Sequence, residues 1–176
     1  KKLVDKAISD GMKGIAITDH GNMMGIKEFY NYVSKINKGK DESEKFKPII
    51  GCEVYVAERR MFNKETKEDR GHHLILLAKN KQGYHNLVKI VSKAWSEGYY
   101  YNPRTDKVEL EKYHEGLVCC SACLGGEVPQ LIKNGNLEKA EETVMWFKNL
   151  FGEDYYIELQ LHKATVERAN HEVYPL

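Results

Sequence analysis

The sequence predicts an α/β fold built as one domain over residues 1–176, and three observations carry that prediction. Apolar residues recur with a helical period in some stretches and in short continuous or alternating runs in others, and the two kinds follow one another along the chain. Glycines and polar clusters mark most of the changes of period. The 176 residues, 41% hydrophobic and 30% charged, suffice for one sizeable core. Such alternation predicts parallel strands joined by crossover helices, in an open sheet or a closed barrel.

The elements follow in order. Leu3, Val4, Ala7 and Ile8 form a helix face that stops at Gly11, a left-handed cap, and Ile15 to Thr18 follows as a strand. Ile26, Phe29, Tyr30 and Val33 make a second amphipathic helix, which ends in the polar loop Asn37 to Lys45. Pro48 to Ala57 and His73 to Ala78 read as apolar strands separated by a charged loop through Arg70. Leu87, Ile90, Val91 and Ala94 define a helix from Gly83 to Trp95, and Leu117 to Ala122 a buried strand that runs into Cys123 and Gly125-Gly126. A short helix carries Val128, Leu131 and Ile132. Asn136 then caps a helix whose inward face is Ala140, Val144, Phe147 and Leu150, and Tyr155 to Leu161 alternates as a strand, with a further helix from about Val166.

Composition narrows the function. Lys plus Arg at 27 against Asp plus Glu at 26 leaves a formal charge of +1, so contact with DNA must come from a local patch or from another part of a larger protein. Three of the four cysteines, Cys119, Cys120 and Cys123, crowd together, which suits thiols in a reducing cytosol better than a disulfide framework. No signal peptide is present and no apolar run approaches the ~20 residues that span a bilayer, so a cytoplasmic protein without membrane contact is expected.

Four residues carry candidate chemistry. In Ile15-Ala16-Ile17-Thr18-Asp19-His20-Gly21-Asn22 a strand delivers a histidine into a glycine turn, and imidazole is the commonest nitrogen ligand of zinc and similar ions. Asp19 beside it is a carboxylate able to orient the ring. Glu53 lies within an otherwise apolar strand, where an unpaired carboxylate costs several kcal/mol, so it needs a cation or hydrogen-bond donors. His72 and His73 open another strand and point to opposite sides, so only one of them faces a common site. Cys123, at the end of a buried strand, is either a thiolate ligand or a small core residue.

Taken together, Thr18-Asp19-His20-Gly21-Asn22, Gly51-Cys52-Glu53, His73 to Asn80, Gly83-Tyr84-His85-Asn86-Leu87, Glu97-Gly98-Tyr99-Tyr100 and Ser121 to Glu127 resemble the polymerase and histidinol phosphatase (PHP) domain of bacterial DNA polymerase III alpha subunits. The direct run from Glu53 to His73, uninterrupted by an exonuclease domain, resembles the DnaE type. The resemblance implies a distorted, TIM-barrel-like (β/α)7 barrel holding up to three divalent ions, often zinc, with manganese or magnesium as alternatives. It assigns His20, Glu53, His73 and Cys123 as metal ligands and Asp19 as the partner of His20, with His162 a minor candidate and His85 and His114 without a role. The family's opening His-x-His and closing Asp-x-His pairs are not in the sequence. The expectation is therefore a barrel incomplete at both ends, part of a longer chain, that binds metal weakly and hydrolyses little. In the intact protein the resemblance implies a metal-dependent 3′ to 5′ exonuclease or a pyrophosphatase within a DNA-synthesising polymerase. The alternative is a platform that docks the proofreading exonuclease subunit beside the other polymerase III subunits. DNA is the implied ligand through the polymerase.

Overall fold

The computed structural model describes residues 1–65 and 69–160. In chain order the helices are α1 (Lys2–Ser9), α2 (Ile26–Ile36), α3 (Lys81–Ser96), α4 (Lys107–Tyr113), α5 (Glu127–Lys133) and α6 (Leu137–Phe151). The strands are β1 (Gly14–Ile17), β2 (Lys47–Val56), β3 (His72–Ala78), β4 (Tyr99–Tyr100), β5 (Asn102–Thr105), β6 (Leu117–Cys120) and β7 (Tyr155–Tyr156).

All seven strands join one sheet of order β4-β5-β2-β3-β6-β7, with β1 also on β2. The long β2 organises it. β1 runs parallel to the first half of β2, Gly14 opposite Lys47 and Ile17 opposite Ile50, and β5 runs parallel to its end, Tyr55 opposite Arg104. The other edge of β2 takes β3, which in turn takes β6, and both of these pairings are antiparallel. Here the structure corrects the expectation of parallel strands throughout. A parallel pair needs a crossover of a dozen or more residues, usually helical. Residues 57–71 form no helix among those described, so β3 folds back beside β2.

Period two then sorts the β2 side chains. Cys52, Val54 and Val56 are buried in the main core, while Glu53 and Tyr55 take the opposite face. Leu74 and Leu76 of β3 join that core with Leu87, Ile90 and Val91 of α3, Leu117 and Cys119 of β6, and Phe147 and Phe151 of α6. A second cluster packs Val4 and Ala7 of α1 on Phe29 and Val33 of α2 and on Phe46. Helix ends behave as their residues dictate. Asn80, Asp106 and Asn136 each accept a first-turn N–H, from Gly83, Glu109 and Lys139 respectively, and Gly11 follows α1 with φ of 77°.

Two local expectations change. Of the strand expected over 155–161, the described residues form only Tyr155–Tyr156, and the β4, β5 and α4 segments emerge where no periodicity announces them. All four cysteines are free thiols. Among the described residues no helix is long and apolar enough to cross a membrane. His162 and the helix expected near Val166 lie outside the described residues.

Candidate metal centre

The site forms where β1 ends against the middle of β2. His20 pairs with Glu53 as an isolated parallel bridge, with the Gly21 N–H donating to the Glu53 carbonyl (2.8 Å) and the Glu53 N–H to the Asp19 carbonyl (3.2 Å). The backbone thus fixes the two side chains as neighbours. Gly21 turns away with φ of 65°, and a side chain there would strike the Pro103 ring and Tyr55. Across β2, His73 stands opposite Tyr55 and diagonal to Glu53, which faces Ile75. Diagonal neighbours on one face are within reach of long side chains.

The result is a carboxylate held between two imidazoles. Glu53 Oε1 lies 2.6 Å from His73 Nδ1, and Oε2 lies 3.5 Å from His20 Nε2. The Glu53 side chain is only 13% exposed, against 26% for His73 and 56% for His20, so the acid is the most buried of the three and His20 the most open to solvent. One donor atom from each of the three residues lies within 4.8 Å of the others, a spacing compatible with one shared cation. His72 points elsewhere, to Glu58 at 3.2 Å.

Cys123 reaches the same place from β6. Ala122, with φ of 62°, bends the chain sharply after the strand, its N–H donating to Glu158 Oε1 (3.2 Å). Cys123 Sγ then sits 3.6 Å from His73 Nδ1 and accepts the Gly125 N–H at 3.4 Å. The His73 N–H donates to the Gly125 carbonyl at 3.0 Å, and the absence of a side chain on Gly125 lets this turn lie against the imidazole. Cys123 adjoins the three-residue group without belonging to it. Burial pushes the Cys52 thiol up to about 12 and Cys120 to about 11, and raises Cys119 as well.

The Asp19 carboxylate packs over Gly25, its Oδ2 2.9 Å from where a side chain would begin there. At His20 Nδ1 stands the Tyr55 hydroxyl, 3.3 Å away, and the Tyr55 ring also meets His73 edge-on at 5.2 Å. Tyr55 was not anticipated, although its position two residues after Glu53 puts it on the same strand face. Burial, and after it the nearby Glu53 carboxylate, raises its hydroxyl above the usual phenol range. Trp95 was likewise unforeseen. Its indole N–H donates to the Gly21 carbonyl at 2.7 Å and anchors the turn that carries His20.

The PHP domain family profile matches residues 1–162. The chain is similar to the DNA polymerase III subunit alpha of Borreliella burgdorferi (47% identity over 163 residues, 91% of this chain and 13% of that protein). The same subunit of Treponema pallidum is 43% identical over 171 residues, 96% of this chain and 14% of that protein. That of Aquifex aeolicus is 42% identical over 166 residues, 90% of this chain and 14% of that protein. The chain thus spans about an eighth to a seventh of the length of these relatives.

Proposed function

The chain belongs to the PHP domain family, and on that premise we propose that His20, Glu53 and His73 hold a divalent cation serving hydrolysis of a DNA phosphodiester. The observation that carries this reading is the presentation of both oxygens of the largely buried Glu53 to two imidazoles that reach solvent. With the Cys123 thiol alongside, the donors are nitrogen, oxygen and sulfur, a set that suits zinc better than magnesium. A bound zinc supplies a Lewis acid for a phosphoryl oxygen and a water-derived nucleophile at neutral pH. The chain's own part is positional: Tyr55 holds the outer nitrogen of His20, and the Gly125 turn holds the backbone and ring of His73.

The relatives are named as DNA polymerase III alpha subunits, which supports a place in DNA replication, with DNA as the ligand and the cytoplasm as the setting. Within that reading the hydrolysis is 3′ to 5′ and proofreading, and the sheet is part of a distorted (β/α)7 barrel. The placement of β1 and β5 along one edge of β2 supports such curvature.

Calorimetric titration of zinc into chelator-stripped protein tests the site. About one ion per chain is expected, with uptake weakened at least tenfold in Glu53→Gln and His20→Ala, in line with the loss of a metal contact. Unchanged uptake in both variants, or two or more tight ions per chain, overturns it. Release of the 3′ nucleotide by an alpha subunit carrying this domain, wild type against His20→Ala, then separates hydrolysis from a docking role.

A further inference from the structure

Beside the His20 turn the surface carries a platform of flat rings. Trp95, near the end of α3, and Tyr99, which opens β4, stack with centroids 5.5 Å apart and planes 22° from parallel. Each remains about half exposed, at 47% and 48%. The Trp95 N–H bond to the Gly21 carbonyl explains the indole's anchoring but leaves its open face, and the stacked Tyr99, without a role in the core. Next along the hairpin, Tyr101 is also half exposed, its backbone sits at φ of 60°, and the Arg70 guanidinium lies 5.4 Å from its ring centroid. A left-handed non-glycine residue is a small stored cost that tends to occur at working surfaces.

We propose that Trp95 and Tyr99 form a stacking site for a nucleobase of a single-stranded nucleic acid, with Arg70, over the Tyr101 ring at the turn of the hairpin, as a cation for the strand's phosphates. Three points favour this occupant. Sequence-tolerant binding of single strands combines exposed aromatic faces with cations along the backbone. A formal net charge of +1 provides no long-range field, so any contact to a strand must be local, and here rings and a guanidinium occur together. The Trp95 indole is hydrogen-bonded to the residue that follows His20, so the platform and the His20–Glu53–His73 group are tied to one turn, and a strand held on the rings would serve that group. That last step rests on the hydrolytic reading above, whereas the stacking itself does not.

The test uses metal-free protein in chelator, so that its outcome is independent of the metal centre. Fluorescence anisotropy follows binding of a labelled short oligothymidylate, its ribonucleotide counterpart, and an abasic strand of equal length. The base-bearing strands are expected to bind about tenfold tighter than the abasic one, the scale of one or two stacked bases. Tyr99→Ala is expected to abolish that preference and Tyr99→Phe to keep it, with both variants matching wild type in urea midpoint. Equal binding of base-bearing and abasic strands by the wild type, or full preference in Tyr99→Ala, overturns the proposal. A preference for the ribonucleotide strand would identify RNA as the source of the base, with the stacking site upheld.

Discussion

Asp106, almost wholly buried at the start of α4, accepts three hydrogen bonds: the Arg60 Nε–H and Met61 N–H (2.8 Å each) on one oxygen, and the Glu109 N–H (3.0 Å) on the other. Burial alone would raise its pKa, but the two backbone donors and the guanidinium outweigh that and hold the carboxyl below the usual carboxylate range. Glu109 is treated alike, burial opposing and Lys93 and Lys112 prevailing. A carboxylate whose folded pKa is depressed stabilises the fold fully above its unfolded pKa and loses that contribution as pH falls through the folded value. Asp106→Asn is therefore expected to cost about 1–3 kcal/mol at pH 7. The deficit relative to wild type should shrink as pH is lowered below about 4, where the aspartate of the unfolded chain takes up its proton, and go on shrinking as pH falls through the depressed value of the folded carboxyl. Urea unfolding at the two pH values checks this, and a deficit that stays constant would contradict it. The residues that matter at this scale were partly readable. Asp106 followed three residues later by Glu109 fits a helix start that the apolar period does not reveal, and the choice of Arg60 as partner depends on a contact 46 residues distant in sequence.

Among the elements, the loop after β2 is the most dependent on a single side chain. Arg104 of β5 is fully buried and donates to the carbonyls of Gly98, Met61, Asn63 and Asp69, with Asp69 Oδ2 3.2 Å from its Nη1 and the Tyr100 ring beneath it. The guanidinium thus ties the return from β2 to β3 onto the β4–β5 hairpin that bears Tyr99 and Tyr101. A lysine has one ammonium and three donors, and it cannot reproduce a planar fork of five. Arg104→Lys is expected to destabilise by about 2–4 kcal/mol in urea, and a loss within about 0.5 kcal/mol, typical of surface changes, would refute that role. Long elements were legible from their period: α3 with Leu87, Ile90 and Val91, and α6 behind its Asn136 cap, stand where expected. β4, β5 and α4 were not, because two to seven residues hold too few apolar positions to display a period, and their structure is supplied by Arg104, Asp106 and Glu109.

For the molecule as a whole, a cation bound to the folded state and not to the unfolded chain stabilises by mass action. At about a hundredfold excess of zinc over its dissociation constant the gain is about 2.7 kcal/mol, which for a chain of this size raises the melting temperature by roughly 5–10 °C. Scanning calorimetry should show that rise in the wild type and at most about half of it in Glu53→Gln; an equal rise in the variant would place the bound zinc elsewhere. The sequence by itself determined what is local: the order of the longer helices and strands, the glycine turn after His20, and the donors His20, Glu53, His73 and Cys123 that the family resemblance assigned. Only the tertiary structure decided what is not local. It turned β3 antiparallel to β2, set His73 diagonal to Glu53 on the face that also carries Tyr55, and brought Trp95 onto Gly21. The physical reason is that period and turn chemistry act over a few residues, whereas strand direction and register follow from which apolar faces can be buried together. Those pairings alone set whether a histidine ending one strand and a glutamate inside another lie within reach of one ion.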